Sequence, residues 1–241
     1  MTGLAPRIVP LGDAALLAEF SETLDLALNE RIQQLAAAIR CRNLPWIRDV
    51  VPALGTLALH FDSAQCEPGH SPRNAAVALI MECLGETNVD LGNAARRVEV
   101  PVCYALELAP DLVEVAALCR LTVEEVIARH CASPHRVLMV GFVPGHPYIG
   151  GLDPALAVPR RTTPRPKVTA GSIAIANAQS VVYPFTISGG WNVIGRTPLR
   201  VFDAAREPPA LLVPGDRVRF VAISLEQYEA LARIANCDSP R

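Results

Sequence analysis

From residue 135 onward the chain is cut into short β-rich runs, HRVLMVGFV, GSIAIA, SVVYPF, WNVIG, LRVFD and VRFVAI, separated by glycine and proline. That spacing predicts a closed barrel or a sandwich. LVPGDRVRF, with Gly215 and Asp216, reads as a turn between two of the strands. A final helix is predicted over 225–235, starting at a capping box formed by Ser224 and Gln227.

The first ninety residues have a different texture. AALLAEF (14–20) reads as a strand, and 24–40 as a helix with Leu28, Ile32, Leu35 and Ile39 on one face. Strand candidates at 47–52 and 56–61 flank a turn at Gly55, and a second helix covers 72–84, with Ser71 as N-cap and Gly85 as stop. Strand, helix, two strands, helix is the content of a small α/β sandwich with helices on one face of a mostly antiparallel sheet. The fold class is therefore α+β, with an N-terminal α/β domain over 1–90 and a β-barrel domain with a C-terminal helix over 91–241. The second part opens with the strand RRVEVPVCY (96–104) and two short helices, the later one capped by Thr122 and Glu125.

A chain of 241 residues with a net charge of -2 has no electrostatic footprint for nucleic acid or an acidic membrane surface. Twenty-one of its 22 basic residues are arginine, and the one lysine, Lys167, follows no glycine run, which excludes a Walker A loop. The seven cysteines are scattered with no CxxC pair and read as reduced, mostly buried thiols. With no signal peptide and no membrane-length apolar run, the expected location is cytoplasmic.

His130, Cys131, His135 and His146 fall within one stretch, but their spacing matches no standard zinc pattern, so no metal is predicted. Instead His130 is read as a helix-terminal residue near the C-terminal dipole, and His135 as exposed. No GxSxG elbow is present and no cysteine has an obvious base nearby, which argues against covalent catalysis. RRTTPRPK (160–167) carries four positive charges held by two prolines. It fits either a stiff clamp for a carboxylate or phosphate, or a solvated loop. The glycines and prolines of GFVPGHPYIGG and SGGWNVIGRTP allow a ligand or another chain to approach the backbone, with Tyr148 and Trp191 as flat surfaces.

GFVPGHPYIGGLDP, PRRTTPRPKVTAGSIAIANAQSVVYP and SGGWNVIGRTPLRVFD resemble the B-subunit family of bacterial 5-oxoprolinase, also called KipI or allophanate hydrolase subunit 1. The likeness runs from about residue 8 to 223, taking in LGDAALLAEF, VPALGTLALHFD and VPVCY in order. It implies an N-terminal α/β lobe and a cyclophilin-like barrel. It also implies partners, the C and A subunits of 5-oxoprolinase, and the ATP-dependent (ATP with Mg) opening of a small lactam, 5-oxo-L-proline, to L-glutamate, with this chain inactive alone. Activation of a poorly electrophilic lactam by phosphorylation is a reasonable use of ATP, with cationic groups stabilising the transferred charge. Other members imply a non-enzymatic inhibitor of a sensor histidine kinase, or a component of allophanate hydrolase or of the carboxyltransferase of urea carboxylase. The last role needs a biotin-carrying partner, because Lys167 is not flanked by methionines.

Substrate- or partner-binding candidates at matching positions are Gly141, Phe142, Gly145, Tyr148, Arg160, Arg161, Arg165, Ser172, Gln179, Tyr183, Trp191 and Arg196. Here His146 stands where the family pattern has an aromatic residue, and Ala176-Asn177 where it has Ala-Gly. His146 is the one catalytic candidate: either a proton carrier or a filler of the aromatic slot. The two glycine corners and the arginine segment are expected to converge at one mouth of the barrel.

Overall fold

The computed structural model describes residues 5–66, 71–86 and 96–237. The chain divides after residue 94 into two units. In the first, β1 (Arg7–Pro10), β2 (Ala15–Glu19), β3 (Ile47–Pro52) and β4 (Thr56–Phe61) form an antiparallel sheet ordered β1-β2-β4-β3, accompanied by α1 (Leu26–Cys41) and α2 (Pro72–Glu86). Asp25 starts α1 by accepting hydrogen bonds from the backbone N–H groups of Ala27 (2.9 Å) and Leu28 (3.0 Å). Leu28, Ile32, Leu35 and Ile39 then recur on one face and pack against Leu57, Leu59 and Phe61, the inward residues of the alternating strand β4. The helix α2 runs through Gly85 to Glu86, because Gly85 does not take the left-handed φ that would end it.

The second unit contains β5 (Arg97–Cys103), α3 (Leu112–Cys119), α4 (Val123–Ala132), β6 (His135–Val140), β7 (Pro147–Gly150), β8 (Arg165–Val168), β9 (Ser172–Ala176), β10 (Gln179–Val182), β11 (Ile187–Gly189), β12 (Asn192–Arg196), β13 (Arg217–Ile223) and α5 (Leu225–Cys237). Seven of these strands close a barrel in the order β10-β7-β6-β13-β5-β12-β9, with β13 parallel to β5 and the other pairs antiparallel. Both predicted capping boxes form. Glu125 N–H donates to Thr122 Oγ1 (3.2 Å) while Thr122 N–H donates to Glu125, and Ser224 and Gln227 do the same for α5.

Three sequence expectations are corrected. LRVFD (199–203) is not a strand; only a bridge from Phe202 to Ala210 remains. Arg206 replaces the ladder by donating to the carbonyls of Arg200 (3.2 Å), Pro208 (3.2 Å) and Pro209 (2.9 Å), which holds this segment as a folded loop. The Gly215-Asp216 turn consequently does not join two staves. It enters β13 from that loop, fastened by Arg96, which donates to Asp216 at 2.6 Å. Among the described cysteines only Cys83 and Cys103 are buried, and Cys41 is exposed. No helix among the described residues is long and apolar enough to cross a membrane.

Candidate functional site

Every residue of β9 is buried, which erases the alternation that would tell its two faces apart. The packing separates them. Ile173 and Ile175 point into the barrel with Ile149, Val182 and Ile194, while Ala174 and Ala176 point outward with Val181, Tyr183, Trp191 and Val193. The small alanines leave room on the outer wall for the rings, and the two-stranded β8/β11 ribbon contributes Val168 and Ile187 over them. The segments picked out from sequence do converge, but on this outer wall rather than at a barrel mouth.

The contacts run in sequence. Trp191 meets Tyr148 edge-on at 6.1 Å, and Tyr148 lies 5.1 Å from His146. His146 in turn meets Tyr183 (5.3 Å) and Phe142 (5.8 Å) edge-on. Arg160 sits 5.4 Å over the Trp191 ring, within reach of a cation–π attraction. Arg161 N–H donates to Gly190 O (2.8 Å), which ties the cationic segment to the SGGW corner. Trp191 is only 6% exposed, so its ring is packed rather than open. Gln179 is half-buried on the same wall, with its amide nitrogen buried and without a hydrogen-bond partner, and Ser172 is buried in β9.

The loop before β7 is tightly drawn. Gly141 N–H donates to His146 O (3.1 Å), and Gly145 has φ +72° with any Cβ falling 2.5 Å from Phe202 Cβ. Only glycine fits there. Phe142 adopts φ +73° and is 70% exposed, a strained placement for a bulky residue and of the kind found at binding loops. His146 is packed among the rings of Phe142, Tyr148 and Tyr183, 4% exposed, and burial lowers its pKa to about 4, so it is neutral at pH 7 with Nδ1 unpartnered.

Two of the predicted ligand-clamping arginines already hold a carboxylate, and it belongs to this chain. Asp111, at the start of α3 and 1% exposed, accepts from Arg161 Nη1 (2.7 Å), from Arg165 Nη1 (2.7 Å) and Nη2 (2.5 Å), and from Val193 N–H (2.7 Å). The fork of Arg165 on both oxygens is the strong bidentate form. These hydrogen bonds raise the Arg165 pKa further. Arg161 also reaches Glu114 at 3.2 Å. Nothing local in the sequence around Asp111 marks this role. Its partners lie 50 and 54 residues away.

Arg196 points elsewhere, into a cavity of about 520 Å³ lined by Gly171, Phe185, Arg200, Phe202, Asp203 and Tyr228 among others. Apart from Arg196, these lining residues were not anticipated. They come from loops and from α5, where Tyr228, Ala232 and Ala235 repeat at helical spacing on the groove side.

A second cluster lies inside the barrel. His130 is fully buried, with Nδ1 2.8 Å from the Tyr104 hydroxyl, Nε2 3.3 Å from Ser180 Oγ, and its ring stacked on Phe220 at 4.5 Å. His135, expected to be exposed, is 2% exposed and bonds through Nε2 to His130 O (2.8 Å). Burial, more than the neighbouring His135, drives the His130 pKa well below its ordinary value. It is therefore neutral, and the expected attraction of a charged imidazole to the helix dipole is replaced by hydrogen bonding. Ser180 and His130 have nucleophile-and-base chemistry but no exposure, so no substrate reaches them. Among the described residues no cluster of three or more His, Cys, Asp or Glu is placed to hold a metal ion.

The family model for the carboxyltransferase domain, subdomain C and D, matches residues 6–212. The 5-oxoprolinase B subunit of Bacillus subtilis (strain 168) is 38% identical over 235 residues, covering 95% of this chain and 98% of the relative. That of Escherichia coli O157:H7 is 36% identical over 217 residues, covering 89% and 95%. Among solved structures, the crystal structure of TTHA0988 matches with a TM-score of 0.75 at 35% identity over 88% of this chain, which spans 40% of that longer chain. The Kluyveromyces lactis urea carboxylase matches with a TM-score of 0.72 at 18% identity over 98% of this chain and 23% of its own, a likeness of fold alone.

Proposed function

This chain belongs to the carboxyltransferase-domain family, subdomains C and D, and is similar to relatives named as the B subunit of 5-oxoprolinase, and from that premise we propose that it is the B subunit of an ATP-dependent 5-oxoprolinase. On this reading it works with homologues of the C and A subunits to open 5-oxo-L-proline to L-glutamate. The observation that carries it is the identity of 38% over almost the full length of both chains.

The overall reaction joins 5-oxoproline, ATP and two waters to give glutamate, ADP and phosphate. The γ-phosphoryl group moves from ATP to the lactam oxygen, one water adds at the carbonyl carbon as the ring C–N bond breaks to leave an amine and an acyl phosphate, and the second water hydrolyses that acyl phosphate to carboxylate and phosphate. ATP with Mg is a substrate of the whole complex. This chain, which lacks a Walker A loop, contributes shape and fixed charge rather than a phosphate-binding loop. The outer wall supports that division of labour. Asp111 holds Arg161 and Arg165 in place, while Arg160 over Trp191 remains exposed and presents charge to an incoming anion. Neutral His146 has little basicity at pH 7 and, being buried, serves this wall as a packed ring.

The test is reconstitution. Glutamate release from 5-oxoproline and ATP is expected only when this chain is combined with the A- and C-subunit homologues, and release by this chain alone contradicts the reading.

A further inference from the structure

Resting on that reading, we infer that the groove between the 196–204 loop and α5 is a subsite for a compact monocarboxylate that carries no ammonium group, with Arg196 as its carboxylate ligand. The groove's volume, about 520 Å³, is within the range of small-molecule sites. Its chemistry follows from which charges are already engaged. Arg196 is half-buried, and its Nε–H donates to Ala170 O (2.9 Å), which fixes the plane of the guanidinium. Among the described residues its two terminal amino groups have no protein acceptor, and Arg196 lines the groove. A fixed, half-desolvated guanidinium with two free N–H groups side by side matches a carboxylate.

The other two charges in the groove cancel. Arg200 pairs with Asp203 at 3.0 Å, and Asp203 also accepts from Ala205 N–H (3.0 Å). Among the described residues the groove therefore offers one unpaired positive charge, Arg196, and no unpaired carboxylate. An α-amino acid brings an ammonium group that would find no anion. A lactam acid has its nitrogen tied up as an amide and brings only the carboxylate. The apolar part of such a ring would rest against Phe185 and Phe202, which meet edge-on at 5.6 Å, with Tyr228 of α5 opposite. The same charge pattern favours the lactam over the opened product, whose ammonium and second carboxylate the groove does not match.

The experiment is ligand titration of the full chain by calorimetry with 5-oxo-L-proline, cyclopentanecarboxylate, 2-pyrrolidinone and L-proline. The two ammonium-free carboxylates should bind, each at least tenfold more tightly than pyrrolidinone, which lacks the carboxylate, and than proline, which carries an ammonium group. Arg196→Gln should weaken both carboxylates at least tenfold, and Phe185→Ala, which leaves the Ala170 bond in place, should weaken them several-fold. Arg219→Gln, at an exposed surface ion pair, should change nothing. Equal binding of pyrrolidinone or proline, binding insensitive to both groove variants, or no carboxylate binding at all overturns the inference. In the reconstituted complex, an unchanged KM for 5-oxoproline with Arg196→Gln removes the groove and leaves the 5-oxoprolinase reading intact. Arg196-dependent carboxylate binding beside a complex that releases no glutamate keeps the groove and removes that reading.

Discussion

Asp111→Asn tests the outer wall at the point where its charges are balanced. Asparagine keeps the shape, so no cavity opens. What changes is that a carboxylate accepting four hydrogen bonds, three of them from two guanidinium groups, becomes a neutral amide whose NH₂ faces one of those cations. Removing one partner of a buried ion pair costs about 3–5 kcal/mol. The side chains of Arg161 and Arg165 are 26% and 27% exposed, so both can recover some hydration and the lower end applies, about 3 kcal/mol. For a chain of this size that corresponds to a melting temperature lower by about 6–12 °C. Thermal and urea denaturation followed by circular dichroism would measure it. Glu114→Gln is the companion, since Glu114 is 60% exposed in its pair with Arg161 and should change stability by less than about 0.5 kcal/mol. If Asp111→Asn unfolds within about 1 kcal/mol of the parent, the carboxylate does not hold the cationic segment and the reasoning fails.

Two further outcomes follow from the packing. His135 and His146 titrate at about 4 in the fold against about 6.5 unfolded, because burial disfavours their charged forms. The folded state thus binds fewer protons, so stability is fully present above pH 6.5 and declines as pH falls from 6.5 to 4, by on the order of 2–3 kcal/mol per histidine. His146→Phe should remove its share of that decline while leaving stability at pH 7.5 within about 1 kcal/mol of the parent. An unaltered decline in urea midpoints between pH 7.5 and 4.5 would show that His146 is not held neutral by the rings. Gly189→Ala would drive a methyl group into the hydroxyl and ring edge of the buried Tyr183 side chain, so the ring or the β11 backbone must shift. Overpacking of this kind costs about 1–3 kcal/mol, and a variant as stable as the parent in thermal melts would mean the corner is looser than described.

What was legible in the sequence was what is encoded locally. Thr122/Glu125 and Ser224/Gln227 announce helix starts because each pair closes its own hydrogen bonds within one turn. Strands at 47–52 and 56–61 could be read because one face of each is covered and the other is not. The barrel was legible as texture, but its two faces were not, since in β9 both are buried and period two carries no sign. The short strands β1, β7, β8 and β11 escaped notice because four residues or fewer, with prolines in β1, β7 and β8, show no periodicity. At the site, the glycine corners, the rings and the arginine segment were found, and they do meet. Asp111 was missed because a lone aspartate before an apolar helix gains its meaning only when two arginines some fifty residues on fold back to it. The groove residues Phe185, Phe202 and Tyr228 were missed for the same reason, each lying in a different segment.

The central claim is tested most directly by assaying glutamate formed from 5-oxoproline and ATP by the assembled complex, with and without this chain. The account predicts that omitting it abolishes ATP-dependent glutamate release and that adding it back restores the rate in proportion to the amount added until the partners are saturated. The same rate from the A- and C-subunit homologues without this chain would contradict it.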